Sequence, residues 1–162
     1  MALVFIGLGS NLGEGPRNLQ QAWKRLGQTK GVTPLSLSSP YKSEPVGITT
    51  SHWFTNAVGV LETSLAPREL LAVMLATERE MGRDRSAGHD RTIDLDILYY
   101  DDQIIRDDDL EVPHPGISSR LFVLAPLVEI APDHLHPGLG LTSKQMQTAL
   151  QSPEHVEKTR WS

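Results

Sequence analysis

From Arg91 to Tyr100 the chain reads RTIDLDILYY, in which Ile93, Leu95 and Ile97 alternate with Thr92, Asp94 and Asp96. Side chains of a strand repeat every two residues, so the run predicts a strand with aliphatics on one face and both aspartates on the other. Asp is disfavoured in strands, and two carboxylates at neighbouring positions of one face repel each other. A divalent cation between them would remove that repulsion, which makes Asp94 and Asp96 candidate metal ligands. Mg²⁺ fits, because it is commonly held by one or two carboxylates plus substrate phosphates. Arg83, Arg85 and Arg91 stand just upstream. Guanidinium presents a fixed fork of donors to carboxylate and phosphate alike, so these residues are either salt-bridge partners of the aspartates or phosphate ligands. Arg83 and Arg85 also follow a helix end, where the dipole favours cations; Arg91 opens the strand and is not covered by that reading. Residues 82–100 therefore predict a metal-assisted phosphate-transfer site made of a rigid strand and a charged loop.

The remaining pattern supplies a frame for that site. Residues 2–8 (ALVFIGL) form a near-continuous apolar run and predict a buried strand. Gly7 to Gly13 reads as a strand-to-helix turn, with neither dinucleotide nor Walker A spacing. Pro16 opens a helix with Leu19, Ala22, Trp23 and Leu26 at helical spacing, and Gly27 stops it. Residues 32–39 predict a second strand, with Leu35 and Leu37 on one face and Pro34 making it irregular or an edge. Residues 40–53 read as a loop and 54–63 as a third strand. A helix follows from Pro67 to Met81 and stops at Gly82. Beyond residue 100 the expectation is a short returning strand at 103–105 and a rigid turn at 113–116. Ser118 or Ser119 then caps a helix over 121–130, interrupted by Pro126. A last short helix, 144–150, is capped by Thr142 or Ser143, and the tail from Gln151 reads as peripheral. Strand, helix, strand, strand, helix, strand is the split-βαβ order, so the predicted class is α+β: a ferredoxin-like βαββαβ core with a helical C-terminal extension.

Composition sets the bounds. The chain has 162 residues, 39% hydrophobic and 22% charged, with no internal repeat or linker, and reads as a single domain over 1–162. Its net charge of −5 argues against a nucleic-acid partner. It has no cysteine, which excludes disulfides and thiolate metal sites. The N-terminal MALVFIGLGSN has no basic region ahead of its apolar run and is a poor signal peptide. No run approaches the roughly 18 apolar residues of a membrane span, and a cytoplasmic location is expected.

Several further residues invite a role. His114 lies between Pro113 and Pro115, six residues before Arg120, and the two could join a phosphate site. Phe54 and Phe122 could sandwich a flat heterocycle whose edge the Asn56 amide reads through donor and acceptor. His134 and His136 read as surface-loop histidines rather than zinc ligands.

Taken together, GLGSNLG, SEPVG, FTNAV, LLAVMLATEREMGR, RTIDLDILYY and VPHPGISSRLFVLAPLVEIAP resemble the 6-hydroxymethyl-7,8-dihydropterin pyrophosphokinase family of folate biosynthesis. The resemblance covers residues 4 to about 150. It implies transfer of the β,γ-diphosphoryl unit of ATP, the co-substrate, to the pterin hydroxymethyl oxygen, leaving AMP, with two Mg²⁺ ions on Asp94 and Asp96. It further implies that Arg83 and Arg91 are catalytic-loop residues and that Glu78, Arg85, Ile97, His114 and Arg120 contact ATP. Ser43, Val46, Phe54, Asn56 and Phe122 would form the pterin site of a monomer whose partners are these two small molecules. The run Ser86-Ala87-Gly88-His89-Asp90 lacks the Trp that many members carry there. A non-catalytic ferredoxin-like ligand-sensing module is the alternative. An RNA-binding sheet is disfavoured, since the first strand offers Phe5 but no positive face.

Overall fold

The first strand, β1 (Ala2–Ser10), runs through the middle of a six-stranded sheet, as its uninterrupted apolar composition requires. The computed structural model describes residues 1–44, 53–82, 92–152 and 154–161. After β1 come α1 (Gly15–Gly27), β2 (Val32–Leu37), β3 (Tyr41–Ser43), β4 (Phe54–Thr63) and α2 (Pro67–Glu80). The chain continues with β5 (Asp94–Tyr100), β6 (Ile105–Arg106), β7 (Glu111–Val112), a 3-10 turn (Ile117–Ser119), α3 (Leu121–Ile130), α4 (Ser143–Ala149) and β8 (Val156–Lys158). The result is a mixed α and β fold with an antiparallel sheet. Its strand order is β5-β1-β4-β3-β8, and β2 also pairs with β4.

Two apolar layers hold this sheet. On one face Val4, Ile6, Leu8, Leu95 and Ile97 pack with Leu19, Ala22 and Leu26 of α1 and Leu70 and Met74 of α2. On the other, Phe5, Val58, Val60, Leu98 and Tyr99 pack with Leu124 and Leu127 of α3 and Met146 of α4. The alternation of β5 breaks once. Phe5 pairs with Tyr99 but Ile6 pairs with Ile97, so the register shifts and Leu98 and Tyr99 both join the α3 layer. Gly82 follows α2 with φ of 87°, a left-handed conformation that glycine adopts without a Cβ clash and that ends the helix.

The structure corrects several expectations. β1 extends to Ser10, so Gly7 and Gly9 are strand residues, and the turn before α1 is shorter than the glycines suggest. The expected loop over 40–53 contains β3, a three-residue strand made by pairing with β4 and β8. β5 begins at Asp94 rather than Arg91, which lies outside the described residues. Leu35 is exposed and does not share a buried face with Leu37, because the β2–β4 register shifts between Pro34 and Ser36. The short strand after Tyr100 is Ile105–Arg106, and it pairs with β7 as a separate ribbon. Neither Ser118 nor Ser119 caps α3. Both sit in the 3-10 turn, and Arg120 occupies the cap position. The helix continues across Pro126, whose missing N–H deprives only the Phe122 carbonyl of its i+4 donor. Thr142 caps α4 through the Gln145 N–H, as expected. The tail is not peripheral: β8 adds an edge strand to β3, and Trp161 Nε1 donates to the Ser38 carbonyl.

Candidate active site

Asp94 and Asp96 sit on the α3 face of β5, while the side chains between and beyond them, Leu95 and Ile97, are buried on the helical face of α1 and α2. The two aspartates form one wall of a cavity of about 370 Å³. β1 creates the space beside them. Gly7 pairs with Asp96 and Gly9 with Asp94 on one side, and the same glycines pair with Val58 and Asn56 of β4 on the other. Two missing side chains in the central strand leave a trough between β5 and β4. A Cβ at Gly9 would stand 2.8 Å from Asn56 Oδ1.

One end of the cavity is charged. The His114 N–H donates to the Leu98 carbonyl at 3.0 Å, and its Nδ1 accepts from the Gly116 N–H at 2.9 Å. The proton of a neutral ring is thereby assigned to Nε2, which stands 3.8 Å from Asp96 Oδ1. Burial holds the His114 pKa below its ordinary value, and the Arg120 cation adds to this against the opposing pull of Asp94 and Glu111. His114 is therefore a neutral Nε2–H donor near neutral pH. The Arg120 guanidinium lies 5.9 Å from the centroid of the Phe122 ring.

The other end is aromatic and amide-bearing. Register places Ser43 beside Phe54 and Tyr41 beside Asn56, and Asn56 Nδ2 stands 3.5 Å from Ser43 Oγ. Glu129 of α3 ties β3 into place. It accepts from the Ser39 N–H at 3.0 Å and from the Tyr41 hydroxyl at 2.7 Å. Burial alone would raise the Glu129 pKa, but the hydrogen bonds from Tyr41 and Ser39 outweigh it and hold the carboxyl below its ordinary range. Phe122, at the start of α3, also lines the cavity.

The family profile described as 7,8-dihydro-6-hydroxymethylpterin-pyrophosphokinase (HPPK) matches residues 5–132. The chain belongs to this family. A 2-amino-4-hydroxy-6-hydroxymethyldihydropteridine pyrophosphokinase of Porphyromonas gingivalis is 42% identical over 142 residues, 85% of this chain and 95% of that protein. The Bacillus subtilis protein of the same description is 43% identical over 129 residues, 79% of this chain and 77% of that one. The folic acid synthesis protein FOL1 of Dictyostelium discoideum is 39% identical over 91% of this chain, which spans only 22% of its length. Among solved structures, the wild-type HPPK-DHPS of Plasmodium falciparum with pteroate superposes with a TM-score of 0.74 at 15% identity. The match covers 91% of this chain and 42% of that one, and at this identity it speaks for the fold alone.

Of the residues that the family resemblance singled out, Ser43, Phe54, Asn56, Asp94, Asp96, His114, Arg120 and Phe122 line this one cavity. Glu78 and Ile97 do not. Glu78 is buried beneath β5, where its Oε2 accepts the Leu95 N–H at 2.7 Å, and the Ile97 side chain belongs to the core under α1 and α2. Val46, Arg83, Arg85 and Arg91 lie outside the described residues, as does His89. His134 and His136 do lie in the loop between α3 and α4, but both are half-buried against aromatic rings rather than fully exposed. His134 stacks 4.6 Å from both Phe5 and Tyr99, and His136 stands edge-on to Tyr99. The cavity also contains Gly7, Gly9, Glu44 and Glu154, which the sequence reading did not place there. Gly7 and Gly9 carried a signal, since glycines two apart in a strand leave one face bare. Glu154 carried none.

The donor chemistry fits Mg²⁺. The two carboxylates are hard oxygen ligands, and among the described residues no cluster of three or more His, Cys, Asp or Glu could hold a metal on its own. Such a half-site suits a cation whose remaining positions are filled by phosphate and water.

Proposed function

We propose that this chain transfers the diphosphoryl group of ATP to the hydroxymethyl oxygen of 6-hydroxymethyl-7,8-dihydropterin, releasing AMP, as a step of folate biosynthesis. One observation carries the reading: a single cavity has a carboxylate pair at one end and an Asn between two Phe-bearing elements at the other. In the reaction the pterin oxygen attacks the β-phosphorus, the bond from that phosphorus to the bridging oxygen of the α-phosphate breaks, and the hydroxyl proton passes to solvent. Such a transfer is mostly positioning and charge neutralisation.

Asp94 and Asp96 would hold Mg²⁺, two ions by the family resemblance, which would supply neutralisation of phosphate charge and activation of the pterin hydroxyl. The neutral His114 donates Nε2–H to a phosphate oxygen without competing for the cation. Arg120 faces the same phosphates, and its contact with Phe122 links the phosphate end to the heterocycle end. Asn56 reads the pterin edge between Phe54 and Phe122, with Ser43 beside it, and Val46 is a further pterin contact by the family resemblance. Arg83 and Arg91 clamp the transferring group, Arg85 assists them, and Glu78 and Ile97 shape the adenosine side through the strand they support. The strand order, with β4 inserted antiparallel between β1 and the β2/β3 edge, supports the ferredoxin-like βαββαβ core with a C-terminal helical extension. We take residues 1–162 as one catalytic domain, acting as a cytoplasmic monomer.

The test is AMP release from ATP and Mg²⁺ with and without the pterin alcohol. AMP formed only with both substrates is the expected result. Pterin binding with no AMP would instead establish the sensing module.

A further inference from the structure

The C-terminal tail brings a carboxylate to the heterocycle end of the cavity, and the family profile, which ends at residue 132, does not include it. Ser43 pairs with Phe54 on one side and with Val156 on the other. Cross-strand partners point to the same face of a sheet, so Ser43, Phe54 and Val156 share the cavity face. Glu154 lies two residues before Val156 and lines the same cavity as Ser43 and Glu44. The tail is firmly held. β8 pairs with β3, the Thr159 N–H donates to the Pro40 carbonyl at 2.8 Å, and Trp161 Nε1 reaches the Ser38 carbonyl at 3.1 Å. Ser152 fixes Glu154 locally: its Oγ accepts the Glu154 N–H at 3.1 Å and donates to Oε1 at 3.3 Å. That contact occupies one of several acceptor positions on the carboxylate.

Among the described residues of the cavity wall Arg120 is the only Arg or Lys, and it belongs to the phosphate end. Neither carboxylate there, Glu44 or Glu154, has an Arg or Lys partner among the described residues of the wall, so Glu154 is available to neutral donors of a bound ligand. A 2-amino-4-oxo heterocycle offers two adjacent donors, its amino group and the neighbouring ring N–H, in the side-by-side geometry that a carboxylate accepts from guanidinium. The Asn56 amide, with both a donor and an acceptor, suits the carbonyl-bearing part of the same edge.

We propose that Glu154 is a specificity-determining residue that accepts hydrogen bonds from the amino-amide edge of the bound heterocycle. The inference rests on the diphosphokinase reading for the identity of the heterocycle. It makes substrate recognition depend on a segment outside the shared family region.

The test is calorimetric titration of 6-hydroxymethylpterin into the full chain with saturating α,β-methylene-ATP and Mg²⁺, for wild type, Glu154→Gln and Glu154→Ala. A charge-assisted hydrogen bond is worth enough that Glu154→Ala should weaken pterin binding about tenfold. Glu154→Gln, which keeps one acceptor oxygen, should fall between. Affinity for the ATP analogue and the melting temperature should not change. A ligand lacking the 2-amino group, which keeps only the ring N–H, should lose less affinity than the pterin between wild type and Glu154→Ala. Wild-type pterin affinity in Glu154→Ala, or equal weakening for both heterocycles, overturns the proposal. If wild type binds pterin and the variant binds it less, but no AMP forms in the enzymatic assay, the role of Glu154 stands and the diphosphokinase reading fails. If wild type binds no pterin, both fail.

Discussion

At Gly9 the open space of the cavity and the orientation of a recognition residue depend on the same missing side chain. A Cβ there would meet Asn56 Oδ1 at 2.8 Å, and the side-chain amide is the movable partner, so the clash is relieved by turning Asn56. Gly9→Ala is therefore expected to raise the KM for the pterin roughly tenfold, since a misplaced recognition hydrogen bond costs on the order of 1–2 kcal/mol, while leaving the KM for ATP unchanged. Steady-state kinetics on both substrates checks this, and equal increases for the two would contradict it. Asp94→Asn and Asp96→Asn each remove a charge from the metal half-site but bury no new group. AMP formation should fall by at least about a hundredfold with the circular dichroism spectrum and melting temperature retained; full activity in both variants would sink the assignment. At this scale the carboxylate pair was legible in RTIDLDILYY, because alternation places both aspartates on one face whatever the strand pairs with. The glycines were ambiguous, because glycine both makes turns and opens strands, and only the pairing of β1 with both neighbours decides between them.

Among the elements, β3 is short, and three residues make few ladder bonds of their own. Its position depends on β4, on β8 and on Glu129. Glu129→Ala removes the acceptor of the Tyr41 hydroxyl and the Ser39 N–H together. The expected cost is about 1–3 kcal/mol of stability, with weaker pterin binding because Ser43 is no longer held; chemical denaturation and pterin titration measure the two effects. Such elements are hard to read from sequence. β3 and β8 carry no amphipathic pattern long enough to register, and they exist because each supplies the other's hydrogen bonds. The long strands and α1 and α2 were legible because each buries its own periodic apolar face. β2 was half legible: Pro34 signalled irregularity, but the bulge that turns Leu35 outward is a property of the pairing with β4.

For the whole molecule, the α3–α4 layer is pinned to the sheet partly by two histidines. Burial lowers the pKa of His134, with the neighbouring His136 adding to the effect, and burial likewise lowers that of His136. A folded-state pKa below the unfolded value means that the unfolded chain binds protons first as the pH falls. The stability is fully present above the ordinary imidazole value of about 6.5 and declines as the pH drops towards the folded pKa values. Urea unfolding at pH 7.5 and 5.5 should show the decline, and His134→Asn, destabilised at both, should show a smaller difference between them. An unchanged pH dependence in that variant would remove His134 from the account. The sequence placed both histidines on the surface, since loop composition around them is polar and the stacking on Phe5 and Tyr99 joins residues more than thirty positions apart.

The central claim is that the carboxylate end and the heterocycle end of one cavity act in a single diphosphoryl transfer. ³¹P NMR of the purified chain with ATP, Mg²⁺ and 6-hydroxymethyl-7,8-dihydropterin tests it most directly. AMP and a pterin diphosphate are expected in equal amounts, with no ADP and no product when Mg²⁺ is chelated. ADP with a pterin monophosphate, or ATP left intact beside bound pterin, would contradict it.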